Sequence, residues 1–116
     1  MKDDLERFLP LSPAALHILL SLAGEERHGY GIMQDIARQS DGRYKLGPGT
    51  LYDNLQKLMK LRLVEERENF STGAEARRRY YRLTELGRRI LSTEIARLEE
   101  AIREAKVHLR FPRSAT

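Results

Sequence analysis

Two stretches of the chain carry side chains whose types and spacing suit contact with a polyanion. Between residues 77 and 89 stand six arginines, Arg77, Arg78, Arg79, Arg82, Arg88 and Arg89, against the single acid Glu85. That is a local charge of +5 in a chain of net charge +4, so the remainder sums to −1 and one face holds the positive field. Four of these arginines fall within six residues, a density that costs stability through repulsion unless an anion offsets it. Arginine rather than lysine suits bidentate phosphate contact or a narrow minor groove. The second stretch is Lys45 to Lys60, KLGPGTLYDNLQKLMK. Here Thr50, Asp53, Gln56, Lys57 and Lys60 share one side, and Leu51, Leu55, Leu58 and Met59 recur at helical spacing on the other. Hydroxyl, amide and ammonium groups on one helix face can reach phosphates and base edges. An ordinary amphipathic core helix and a merely solvated charge run are the plain alternatives, and the neighbouring elements decide between them.

The elements that must position these residues are legible in order. Residues 1–9 place Leu5, Phe8 and Leu9 on one side of a short amphipathic helix stopped by Pro10. Ser12 as N-cap and Pro13 at the first position start a helix that is apolar nearly all round and stops at Gly24, the central buried helix. His17 inside it reads as a satisfied core or boundary histidine. After the charged turn Glu25-Glu26-Arg27, the run His28-Gly29-Tyr30-Gly31 opens a further helix to about Ser40. The glycines there permit close approach to a phosphate, with Tyr30 either contacting it or packing as a cover over a tight turn. A polar turn, residues 40–45, leads into the Pro48 helix, which ends near Leu61. Two helices joined this way, the second with a polar outer face, form a helix-turn-helix.

Val64 to Glu68 then reads as a strand, Ser71 to Ala74 as a loop, and Arg77 to Leu83 as the returning strand. In the latter Tyr81 and Leu83 face the core while Arg78, Tyr80 and Arg82 face outward. Thr84 caps a last helix, with Glu85 in its first turn. Along it Leu91, Ile95, Leu98, Ile102, Ala105 and Leu109 are spaced 4, 3, 4, 3 and 4, a heptad seam suited to a second copy of the chain. Glu94 and Lys106 flank the seam where a partner helix would lie, and Glu99 with Arg103 forms a supporting pair. Packing of this helix on the chain's own N-terminal segment accounts for part of the same stripe.

Composition narrows the function classes. The chain of 116 residues has no cysteine, which excludes a disulfide framework and a thiolate metal site. Its three histidines, His17, His28 and His108, lack metal-ligand spacing, and no nucleophile, base and orienting acid assemble, so neither an enzyme nor a metal or cofactor protein is expected. The start lacks an apolar signal run and no stretch has the length of a membrane span, so a cytoplasmic protein without membrane contact is expected.

With these residues in view, the chain resembles the PadR family of winged-helix transcriptional regulators over roughly residues 10–105. The likeness rests on Leu11-Ser12-Pro13-Ala14, on His28-Gly29-Tyr30, on Gly49-Thr50-Leu51-Tyr52 and on the run from Arg78 to Gly87. The resemblance implies a homodimer whose recognition helices and wings bind a pseudo-palindromic operator, usually as a repressor, and a short form with one C-terminal helix. Two departures bear on it. Family members often carry Gly where Arg62 stands, at a helix end that tends to need positive φ; arginine there costs ~1 kcal/mol or changes the turn. Multidrug-sensing relatives stack planar ligands on an interface tryptophan, and this chain has none.

The expected architecture is therefore mainly α with a small antiparallel β-wing. Residues 1–83 form a winged helix-turn-helix DNA-binding domain, 84–110 a dimerisation helix and 111–116 a disordered tail. Tyr30, Thr50, Tyr52, Lys57, Arg77, Arg78 and Arg79 are expected to hold the phosphate backbone of double-stranded DNA, with Gly49 leaving the helix start thin. Asp53, Asn54 and Gln56 stand nearest base edges. Asp53 can only accept, from cytosine N4 for instance, and otherwise repels phosphate, and Asn54 sits toward the side of the stripe, where capping or packing is the alternative. Leu5, Phe8, Leu91, Ile95, Leu98, Ile102, Ala105 and Leu109 are the expected homodimer interface. A small effector of unknown identity has a possible pocket between Phe8, the buried helix and the last helix. The rival reading is a winged-helix protein-interaction module whose basic wing docks an acidic partner.

Overall fold

A computed structural model describes residues 5–67 and 79–110. The element order is α1 (Pro13–Gly24), β1 (Arg27–His28), α2 (Gly29–Gln39), α3 (Pro48–Lys60), β2 (Val64–Arg67), β3 (Tyr80–Leu83) and α4 (Glu85–Leu109). Ahead of α1, residues 5–9 make a single turn, with Phe8 N–H donating to Leu5 and Leu9 N–H to Glu6.

α1 starts where the capping residues dictate. The Ser12 hydroxyl accepts from Ala15 N–H at 3.1 Å, and Pro13 follows at the first helical position. Ile18, Leu19 and Leu22 are fully buried and meet Ile32 and Ile36 of α2, Leu51 and Leu55 of α3, and Ile90 of α4 in one core. Since α1 contacts α2, α3, α4 and β3, its near-continuous apolar surface is needed on all sides. His17 is satisfied at the boundary. Its Nδ1 pairs with Gln39 Oε1 at 3.0 Å and its ring stacks on Tyr44 with centroids 4.6 Å apart.

The connector between α2 and α3 is held from several directions. Asp35 of α2 is buried and receives Arg38 at 2.9 Å, Gln39 at 3.1 Å and Arg27 at 3.5 Å. Burial works to raise its pKa, but the hydrogen bonds from Gln39 and Arg38 and the nearby guanidinium charges outweigh it and hold the carboxyl below its ordinary range. Ser40 accepts from Tyr44 N–H at 2.8 Å and so closes the turn in which Asp41 and Gly42 take positive φ.

The sheet has three strands in the order β1-β3-β2, both pairs antiparallel. Sequence reasoning finds only the hairpin, because β1 is two residues long and too short to show alternation. Tyr81 and Leu83 are buried and Arg82 is exposed, as alternation requires, whereas Arg78 lies outside the described residues.

Arg62 keeps the helix-ending turn and carries its strain. It takes φ 63°, Arg62 N–H donates to Met59 and Leu63 N–H donates to Leu58, the paired bonds of a left-handed helix cap. The next contact is with α4. Thr84 N–H donates to the Leu63 carbonyl, the Thr84 hydroxyl donates to the Arg62 carbonyl at 2.6 Å and accepts from Gly87 N–H at 2.9 Å. A Cβ on Gly87 would overlap the Leu63 carbonyl, so only glycine lets the helix sit this close.

Along α4 the heptad seam divides. Leu91 is buried in the chain's own core, Ile95 packs against it, and Leu98 and Ala105 are half-buried. Ile102 and Leu109 are exposed. Leu5 and Phe8 also pack partly against the core. Glu94 does not flank the seam toward a partner. It is buried, accepts from Leu11 N–H at 2.8 Å and pairs with Arg97, and so clips the N-terminal segment to α4. Arg103 pairs with Glu100 rather than with Glu99.

Arg62→Gly should raise stability by about 1 kcal/mol by relieving the left-handed φ, while Gly87→Ala should lower it by roughly 1–3 kcal/mol through overpacking against backbone; denaturant midpoints at constant slope check both. The hydrogen bond from Arg97 holds the Glu94 carboxyl below its ordinary value, with the Leu11 amide adding to it against the effect of burial. A depressed carboxylate contributes stability that is present above its unfolded pKa of about 4.3 and is lost as pH falls through the folded pKa. Glu94→Gln should therefore lower the melting temperature at pH 7 and flatten its decline between about pH 5 and pH 3, read from thermal melts across that range.

Candidate nucleic-acid interface

α3 is the second helix of the helix-turn-helix, and its polar residues stand outward as the spacing requires. Leu51, Leu55 and Leu58 are buried, which leaves Gly49, Thr50, Tyr52, Asp53, Gln56 and Lys57 exposed in solvent. The N-terminus is thin. Gly47 is the N-cap without a side-chain bond, Pro48 follows, and a Cβ on Gly49 would meet nothing within 4 Å. Backbone N–H groups at such an end are open to an anion.

Not every polar group on this face is unoccupied. Asp53 and Lys57 pair with each other at 3.5 Å, an exposed contact one helical turn apart that holds loosely. Asn54 is turned back onto its own helix, where its Nδ2 donates to the Thr50 carbonyl at 2.8 Å. Gln56 is exposed and projects with Asp53 from the same side.

The start of α2 lies against α3. The hydroxyl end of the Tyr52 ring rests on Gly29, where a Cβ would overlap it. That close approach explains the glycine: it admits a tyrosine of α3, which remains 45% exposed. Tyr30 does not cover the turn, since it is 61% exposed. Sequence reasoning missed His28, which is the N-cap of α2. Its Nδ1 accepts from Gly31 N–H at 3.0 Å, so one amide counted on for an anion is already bonded, and its ring meets Tyr80 edge-on at 5.5 Å. The signal was present, a side-chain acceptor three residues ahead of the amide it caps.

In the wing, Arg77 and Arg78 lie outside the described residues. Arg79 is exposed and pairs with Glu66 at 3.3 Å, and Arg82 pairs with Glu65 at 2.7 Å. The repulsion expected of the arginine run is thus offset, for these two, by glutamates of β2 and not by an external anion. Tyr81 lies between these elements. Burial pushes its phenol pKa up, as do the charges of Glu66 and Tyr52, while Arg79 works the other way. The charge of Tyr52 of α3 thus reaches Tyr81 of the returning wing strand.

A cleft of about 550 Å³ separates residues 6–10 from α4, lined by Glu6, Leu9, Pro10, Thr93, Ala96, Arg97 and Glu100. Phe8 instead lines another surface cleft, with Arg7 and residues 60–62. Among the described residues no group of three His, Cys, Asp or Glu could hold a metal ion.

A helix-turn-helix followed by an antiparallel β-hairpin defines a winged-helix protein of the DNA-binding class. The chain belongs to the transcriptional regulator PadR-like family, which it matches over residues 18–93. It is 37% identical over 89 residues to the transcriptional regulator Rv3488 of Mycobacterium tuberculosis, covering 77% of this chain and 78% of that protein. Among solved structures, a PadR family regulator from Clostridium difficile superposes with a TM-score of 0.69 at 23% identity, over 84% of this chain and 99% of that one. Bacillus subtilis PadR, solved in complex with operator DNA, matches with a TM-score of 0.62 at 23% identity, over 72% of this chain and 45% of that one. These likenesses establish the winged-helix fold.

Gly49→Ala meets open space and should leave thermal stability unchanged or slightly raised, yet weaken duplex binding by about tenfold if the thin helix start approaches the backbone. Melting curves and fluorescence anisotropy on the same preparation separate the two effects.

Proposed function

We propose that this PadR-family regulator is a sequence-specific DNA-binding repressor that acts as a homodimer on a pseudo-palindromic operator. The observation that carries the reading is the exposure of Tyr30, Thr50, Tyr52, Gln56, Lys57 and Arg79, with the N-terminus of α3 free of a side-chain cap. In this reading Tyr30, Thr50, Tyr52, Lys57 and Arg79 hold phosphates, joined by Arg77 and Arg78. Asp53 and Gln56 face base edges, with Asp53 exchanging Lys57 for a cytosine amino group. Asn54 supports the helix start through Thr50.

Residues 1–83 serve as the DNA-binding unit and residues 84–110 as the dimerisation helix. The interface is built on Leu98, Ile102, Ala105 and Leu109, while Leu91 and Ile95 anchor the helix to its own domain. A chromosomal target places the protein in the cytoplasm; among the described residues no helix is long and apolar enough to cross a membrane. A small effector would enter the cleft between residues 6–10 and α4, where it would bear on the element that sets the spacing of the two recognition helices.

The test is selection from random-sequence duplexes followed by sequencing of the bound pool. An inverted repeat with half-sites about one turn apart, ~34 Å, is the expected result. With ~6–8 phosphates neutralised per dimer, log K should fall against log[salt] with a slope of about −5 to −7. A bound pool indistinguishable from the input would overturn the operator reading and favour docking of the basic wing on an acidic protein.

A further inference from the structure

The wing pairs arginines with glutamates on both faces of the sheet, and the two pairs differ in where they lie. Glu65 stands opposite Arg82 in the β2–β3 register, on the face that carries Tyr80 and turns away from the core. Glu66 stands opposite Tyr81, on the face that joins the core, and holds Arg79 at 3.3 Å. Residues directly opposite in an antiparallel pair share a face. Glu66 and Arg79 therefore share the face of Tyr81, whose phenol senses the charge of Tyr52 of α3, and Glu65 and Arg82 are on the other.

A carboxylate in that position has two effects. It engages the guanidinium that the phosphate backbone would use, and it opposes the phosphates once that guanidinium has left. The pair itself is exposed on the arginine side, so DNA can separate it at little cost. The carboxylate's own repulsion then remains, because Glu66 is held in β2 and Arg79 is the cation it pairs with among the described residues. We propose that Glu66 is an affinity-limiting residue of the DNA interface: it occupies Arg79 in the unbound protein and opposes the backbone in the complex. The inference rests on the DNA-binding reading above. Its consequence is that the interface holds less affinity than its arginines alone would give, and that release from DNA is assisted by a group already in place.

The experiment measures duplex binding by the full-length chain and by Glu66→Gln, Glu65→Gln, Arg79→Ala and the Glu66→Gln/Arg79→Ala double variant, with matching thermal melts as a check on folding. The probe is the selected operator duplex and one scrambled duplex of equal length. Glu66→Gln should tighten binding about three- to tenfold at low salt, with the gain shrinking as salt screens it. Its salt slope should steepen by up to about one unit, because a negative charge no longer offsets Arg79 at the backbone. Glu65→Gln should change affinity by less than about twofold at physiological salt, where the screening length is ~8 Å. The double variant should gain at least as much over Arg79→Ala as Glu66→Gln gains over wild type, because repulsion of the backbone by Glu66 does not need Arg79.

Equal or weaker binding by Glu66→Gln overturns the inference, the weaker result showing instead that Glu66 orients Arg79 for contact. An equal gain from Glu65→Gln overturns it as well, by reducing the effect to net charge. Both leave the DNA-binding reading intact. Failure of the wild-type chain to bind any duplex defeats that reading itself, and this inference with it.

Discussion

The Leu63 carbonyl is the point on which the geometry of the molecule depends. It receives the Thr84 N–H, it lies against Gly87, and its residue closes the left-handed cap at the end of α3. The recognition helix, the first wing strand and the long helix therefore meet at one pair of backbone segments. A side chain at residue 87 would hold α4 away from α3, and both the core and the wing would have to shift. Interiors packed to crystal density transmit such a displacement rather than absorb it.

A second set of contacts fixes the other end of α3. Arg27 reaches the Ser21 carbonyl and the Asp35 carboxylate, Asp35 receives Gln39, Gln39 meets His17, and His17 stacks on Tyr44 in the connector. The chain of contacts runs from the first strand of the sheet through two helices to the turn before α3. Each polar member is satisfied by the next, which is the condition under which buried polar groups specify one arrangement instead of weakening it. Tyr52 on Gly29 completes this by tying the two helices of the motif together side by side.

The wing departs from a simple basic arm. Glu65 and Glu66 neutralise arginines of the returning strand, so the electrostatic field of the wing is weaker near the sheet than the composition suggests. Charge counted along the chain says nothing about which opposite charge stands across a ladder, and the register alone decides that Glu65 meets Arg82.

Much of this was legible in the linear chain. Ser12-Pro13, the Gly47-Pro48 start of α3, Thr84 as a cap, and the alternation of Tyr81, Arg82 and Leu83 are local signals, set by backbone sterics and hydrogen bonds that span three or four residues. The outward residues of α3 follow from helical period in the same way. What required the tertiary structure are contacts between residues far apart. These include β1, two residues that become a strand only because β3 lies beside them, and Glu94, whose helical position suggests a partner helix but whose carboxylate is taken by Leu11. Leu91 belongs by spacing to a dimer seam and by burial to the core. Gly29 reads in sequence as a place of close approach, but that the ring of Tyr52 fills it, and that Gly87 lies against the Leu63 carbonyl, only the fold shows. Local propensity and period determine the elements and their faces; which face meets which neighbour is decided by packing, because only the assembled core places distant side chains within bonding reach.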